Sequence, residues 1–166
     1  MRKLLTLIIV GAMLISVARV ASAVSQTTST SKEAATSSSV HSVPLFKHNG
    51  IYVVAVLINN AVTMDFVVDS GASDVSISED VLATLMQKGT IRKTDYLGNK
   101  VYQQADGSKM PSKVYLIKSL KVGDRMIENV IVRVASARGS LLLGQSFLGQ
   151  FKSWTIDNTT QSLLLQ

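Results

Sequence analysis

From Val43 onward, apolar and polar residues alternate in short runs dominated by Val and Ile, the period-two pattern of strands with one buried face. Ile51–Ile58, Val62–Val68, Lys113–Val122 and Met126–Val134 are four such runs. Asn59-Asn60 separates the first two and Gly123-Asp124 the last two, dipeptides that tolerate the left-handed backbone of a two-residue hairpin turn. One stretch follows a helical period instead. Ser78 caps it, Glu79 and Asp80 fill its first turn, Val81, Leu82, Leu85 and Met86 share a face, and Gly89 ends it. The pattern predicts an all-β, mostly antiparallel domain with little helix.

Two hairpins echo each other. Val56–Val68 and Leu120–Val132 align turn upon turn, and each precedes a glycine in a small context, Asp69-Ser70-Gly71 in one case and Leu142-Leu143-Gly144 in the other. A domain of two related hairpin-plus-loop units is suggested, although any two hairpins share this much patterning.

Before residue 43 the pattern changes twice. Arg2 and Lys3 precede the apolar run Leu4–Val17, and Ala21-Ser22-Ala23 supplies a small-x-small cleavage pattern, so residues 1–23 read as an export signal. The run is shorter than the ~20 residues that span a bilayer, which favours cleavage, with retention as an anchor as the alternative. Residues 24–42 are mostly Ser, Thr and Ala with no aromatic residue and read as a disordered linker. The folded domain is expected over residues 43–166.

Composition narrows the chemistry. Apolar residues are 46% and charged residues 17% of the chain, which excludes a coiled coil or a wholly disordered protein. With no cysteine and only His41 and His48, there is no disulfide scaffold or thiolate nucleophile, and no metal or other cofactor is expected. The net charge of +6 loses three basic residues (Arg2, Lys3, Arg19) with the signal. Those that remain are scattered, without the basic stripe a nucleic-acid surface needs. Membrane contact is expected only if the N-terminal segment is retained.

The chemistry concentrates in Phe66-Val67-Val68-Asp69-Ser70-Gly71-Ala72-Ser73. A carboxylate ending an apolar strand costs several kcal/mol unless it is hydrogen-bonded or shares a proton. Ser70 can bond nearby backbone, Gly71 can turn its N–H toward the carboxylate, and Ala72 is small enough to leave room for a ligand.

This segment, a hairpin around Ala105-Asp106-Gly107-Ser108 and the element LLLGQSFL (141–148) together resemble the retroviral-type, or retropepsin-like, aspartic proteases, and among them the bacterial secreted or membrane-tethered members. The resemblance covers about Leu45 to Leu165. It implies a closed, barrel-like acid-protease fold with one or two short helices, a catalytic role for Asp69, and a supporting role for Ser70 and Gly71 in bracing the active-site loops. Leu143 and Gly144 would support the loop. Ala72, Ser73 and Asp74 would contact an extended peptide, and Asp106 and Gly107 would form the tip of a closing flap. Only one Asp-Ser-Gly is present, so the resemblance implies a homodimer in which two copies of Asp69 share a proton and activate water against a peptide or protein substrate. The expected compartment is the bacterial periplasm, or the outer side of a membrane if the segment is an anchor.

Two readings compete with an endopeptidase: a catalytically inactive peptide-binding module on the same fold, and a structural envelope domain. Other signals are weaker. Gly144–Gly149 is one residue too long for a serine nucleophile elbow, and neither histidine has an evident triad partner in sequence. Asp65 is expected to face solvent, and Ser153–Asp157 and Ser162–Gln166 to be terminal strands, paired either across a dimer or as a hairpin about Asn158-Thr159.

Overall fold

The computed structural model describes residues 39–166; the signal-like segment 1–23 and residues 24–38 of the linker lie outside them. The first strand, β1 (His41–Pro44), begins inside the run assigned to the linker. His41 and Ser42 pair with Leu165 and Leu164, so a partner at the far end of the chain converts polar residues into sheet.

Ten strands and two helices follow: β2 (Phe46–His48), β3 (Ile51–Ile58), β4 (Val62–Val68), β5 (Val75–Ser78), α1 (Glu79–Gln87), β6 (Tyr96–Gln103), β7 (Lys109–Val122), β8 (Arg125–Ala135), β9 (Leu142–Leu143), α2 (Gln145–Leu148), β10 (Trp154–Asp157) and β11 (Ser162–Leu165). The domain is mostly antiparallel β, as the patterning predicts. Helix α1 keeps its cap: the Ser78 hydroxyl accepts from the Val81 N–H at 3.3 Å, and Val81, Leu82 and Leu85 are buried.

The turns differ in detail. At Asn59 and Asn60 both residues have positive φ and Ala61 N–H closes on Ile58 O, but Ala61 then sits outside the ladder, so three residues rather than two link β3 to β4. Gly123-Asp124 is a two-residue link, with Val122 paired to Arg125.

The large sheet runs β2-β3-β4-β9-β5-β8-β7-β6, and an additional β3–β7 pairing closes its middle six strands into a barrel. The order is palindromic. Exchanging β2 with β6, β3 with β7, β4 with β8 and β5 with β9 returns the same sheet read backwards. In each unit a hairpin leads to a third strand, a loop, a fourth strand and a helix, and each third strand pairs in parallel with the other unit's fourth. The repeat is thus real, but its equivalences differ from the sequence echo. Gly144 caps α2 as Ser78 caps α1, so Gly144 is not the counterpart of Gly71. The counterpart of the loop starting at Asp69 is the loop starting at Ser136.

Val54, Val56, Ile58, Phe66, Ile77, Ile117, Val132 and Leu143 fill the barrel and are fully inaccessible. Each such side chain contributes about 1.5–3 kcal/mol by burial. The two ends of the described segment form a separate three-stranded sheet, β1-β11-β10, in which β10 and β11 make an intramolecular hairpin. Among the described residues, no helix is long and apolar enough to cross a membrane.

Candidate active site

Strand β4 ends at Val68, and Asp69 is the first residue beyond it. Val67 and Val68 pair in parallel with Leu142 and Leu143, and Asp69 N–H donates to Leu143 O at 3.2 Å, so the parallel ladder extends to the acid itself. The carboxylate folds back on the loop: Gly71 N–H donates to Asp69 Oδ1 at 2.9 Å. A Cβ on Gly71 would come within 3.3 Å of that oxygen, so the absence of a side chain serves the carboxylate directly. The backbone here has no positive φ.

The loop from Ser70 to Asp74 is held from behind by the start of α2. Gln145 N–H donates to Ala72 O at 2.8 Å and Ser146 N–H to Ser73 O at 3.0 Å. The Gln145 side-chain amide donates to Ser70 O at 3.0 Å. Ser146 Oγ accepts from Val75 N–H at 2.8 Å and donates to Ile131 O at 2.9 Å, joining the loop, β5 and β8. Gly144 makes the approach possible: a Cβ there would lie 2.5 Å from Asp74 O and 2.7 Å from Ala72 O. Ser70 is exposed, and within one chain its carbonyl rather than its hydroxyl makes the tie.

Asp69, Gly71, Ala72 and Ser73 line an open cavity of about 780 Å³ that continues along the β6 side of the β6–β7 hairpin, past Lys100, Tyr102 and Gln104. Asp74, expected on the cleft floor, is buried at 8% exposure and does not line this cavity. Its Oδ2 accepts from the Tyr102 hydroxyl and lies 3.0 Å from Lys100 Nζ, so it anchors the hairpin to the loop. A buried carboxylate needs such partners, and here both come from β6. Burial first, and the Asp74 hydrogen bond second, push the Tyr102 phenol well above the ordinary tyrosine range.

At the hairpin tip, Asp106 and Gly107 are exposed and lie outside the cavity lining. Gly107 N–H donates to Gln104 O at 2.9 Å, which puts Ala105 and Asp106 at the corners, neither with positive φ; Gly107 follows in the left-handed region at φ 83°. The Asp-Gly pair thus sits one position later in the turn than in a type I′ turn, which needs positive φ at both corners. Asp106 Oδ1 accepts from the Ser108 hydroxyl and N–H, and these two bonds hold its carboxyl below the usual carboxylate range.

Folding brings together Asp69, Gly71, Ala72, Ser73, Leu143 and Gly144, places Asp74 behind them, and carries Asp106 and Gly107 to the end of the arm. Sequence reading missed Gln145, Ser146, Lys100, Tyr102 and Arg133. The first two directly follow Leu143-Gly144 and could have been suspected; the others enter by pairing with distant strands.

Folding also gives His41 the partners its sequence neighbourhood lacked. Its Nδ1 lies 2.7 Å from Asp124 Oδ2, and its Nε2 lies 2.8 Å from Ser39 Oγ and 3.4 Å from an Arg125 guanidinium nitrogen. None of these residues lines the cavity of Asp69.

Residues 54–150 match a family model described as "gag-polyprotein putative aspartyl protease". No curated protein matches the chain. Among solved structures, a retropepsin-like aspartic protease from Rickettsia conorii is similar at a TM-score of 0.56 and 24% identity, over 76% of this chain and 91% of that one. At that identity the likeness bears on the fold, and it is the retropepsin-like fold.

Proposed function

The chain belongs to this family of gag-polyprotein aspartyl proteases, and on that premise we propose that it is an aspartic endopeptidase active as a homodimer, with Asp69 of each copy forming the catalytic pair. One observation carries the reading. Asp69 stands in an open cleft; among the described residues its carboxylate accepts only the Gly71 N–H, and none of the three ion pairs involves it. An acid without a basic partner, on a rigid loop facing a cavity, is suited to proton transfer.

One chain supplies half of what the chemistry needs. The equivalent loop of the second unit starts with Ser136 and carries no acid through Leu141, so the second carboxylate comes from another copy. Two carboxylates about 3 Å apart cannot both ionise. One takes a proton from water as it attacks the peptide carbonyl, while the other gives a proton to the carbonyl oxygen. Ser70 and Gly71 hold the pair, Ala72 and Ser73 border the extended substrate, and the hairpin carrying Asp106 and Gly107 closes over it. The signal-like N-terminus supports export, with the periplasm as the proposed site of action.

Digestion of a peptide library across pH tests this. Cleavage with an acid-leaning, bell-shaped profile is expected, and Asp69→Asn should lower it at least about 10²-fold while the dimer persists in sedimentation. Cutting by the Asn variant at the parent rate, or full activity at dilutions where only monomer sediments, would overturn the mechanism. Peptide binding without any cutting would point to the inactive module instead.

A further inference from the structure

Resting on the protease reading, we propose that the cleft contains a subsite for an acidic substrate side chain, centred on the guanidinium of Arg133. Arg133 lies on β8 between Val132 and Val134, both buried in the barrel, so its side chain emerges on the opposite face. It lines the same cavity as Asp69, Ala72 and Ser73. Its ladder partners are Ser76 of β5 and Val114 of β7, neither of them charged.

The local charge balance leaves this cation unmatched. The Arg133 guanidinium lies 5.3 Å from the centroid of the Tyr102 ring and Lys100 Nζ 5.0 Å from the same centroid. Asp74 neutralises Lys100 at 3.0 Å. Arg133 has no carboxylate partner among the described residues. Tyr102 cannot serve as one, because burial and its bond to Asp74 keep the phenol protonated. On the same face, the Ser76 hydroxyl is fully buried and has no hydrogen-bond partner among the described residues. A planar fork held against an aromatic ring is ordered in advance, so a bidentate bond to an incoming carboxylate costs little further entropy. Main-chain bonding along an extended peptide tolerates most sequences, whereas the side chain that enters a pocket decides selectivity. Here that side chain is Glu or Asp, and Lys or Arg is repelled.

The test uses peptide pairs identical except for Glu or Gln at each position flanking the scissile bond, with the parent, Arg133→Gln and Arg133→Lys proteins. At one position the parent should prefer Glu in kcat/KM by about tenfold. That ratio should fall to near one in Arg133→Gln and keep an intermediate value in Arg133→Lys, which also serves as the folded control. Affinities of the same pairs for Asp69→Asn read the subsite without cutting, and the Glu peptide should again bind tighter. Equal treatment of Glu and Gln at every position, in cutting or in binding, overturns the subsite, as does a preference that survives Arg133→Gln. A Glu preference in binding with no cutting by the parent would instead sink the protease reading and leave the subsite standing.

Discussion

Strands β4 and β8 occupy equivalent places in the two units of the barrel, yet the loop after β4 begins with Asp69 and the loop after β8 with Ser136. The hairpins ahead of them diverge as well. The first, β2–β3, has an outer arm of three residues, while its counterpart β6–β7 has an outer arm of eight whose last residues line the cavity. One unit therefore holds the acid and the other contributes the arm that borders the cavity, the Arg133 wall and the α2 support beneath the acid. Duplicated architecture sets the frame, and chemistry follows from where the copies differ.

Substitutions at the contact between units sharpen this contrast. Gly144→Ala should have the largest effect on stability, about 1–3 kcal/mol by urea unfolding, because its Cβ meets two backbone oxygens that cannot move independently. A loss under about 0.5 kcal/mol would show that the loop yields where it is described as fixed. Ser146→Ala should cost about 1–2 kcal/mol, since the Val75 N–H and Ile131 O both lose their hydroxyl partner. Gly71→Ala should cost less stability than either, because it meets only the Asp69 carboxylate, and should instead lower kcat. If unfolding of the Gly71 and Gly144 variants proved equally impaired, the division between a supporting and an acid-bearing loop would fail.

The smallest effect concerns the anchored arm. The Tyr102 phenol binds its proton more tightly in the folded chain than in the unfolded one. Its contribution is therefore fully present below pH ~10, the ordinary tyrosine value, and is lost as pH rises toward the folded value. Tyr102→Phe should flatten the fall in melting temperature above pH ~10. An identical alkaline slope in parent and variant would show that the phenol does not couple folding to pH.

Much of this was legible in the sequence for a local reason. Period-two patterning marks β3, β4, β7 and β8 because each buries one face, and Ser78 and Gly89 delimit α1 because caps act within one turn. The Asp-Ser-Gly after an apolar strand marked the acid. What stayed hidden involves distant partners. Polar His41 and Ser42 become strand only because β11 returns beside them. Asp74 looked like a cleft residue until Tyr102 and Lys100, 28 and 26 residues on, closed over it. Gly144 looked like the twin of Gly71, and only the helix cap it provides reveals it as the counterpart of Ser78.

By itself, then, the sequence determined the β character, the helix, the hairpin pairs and the acid of the Asp-Ser-Gly that follows β4, because propensity, capping and burial pattern act over a few residues. Tertiary structure alone decided which loop backs Asp69, which cation shares its cavity and which carboxylate is tied away. Those outcomes depend on β4 meeting β9 and β5 meeting β8, parallel pairings between segments far apart in the chain that no local pattern encodes.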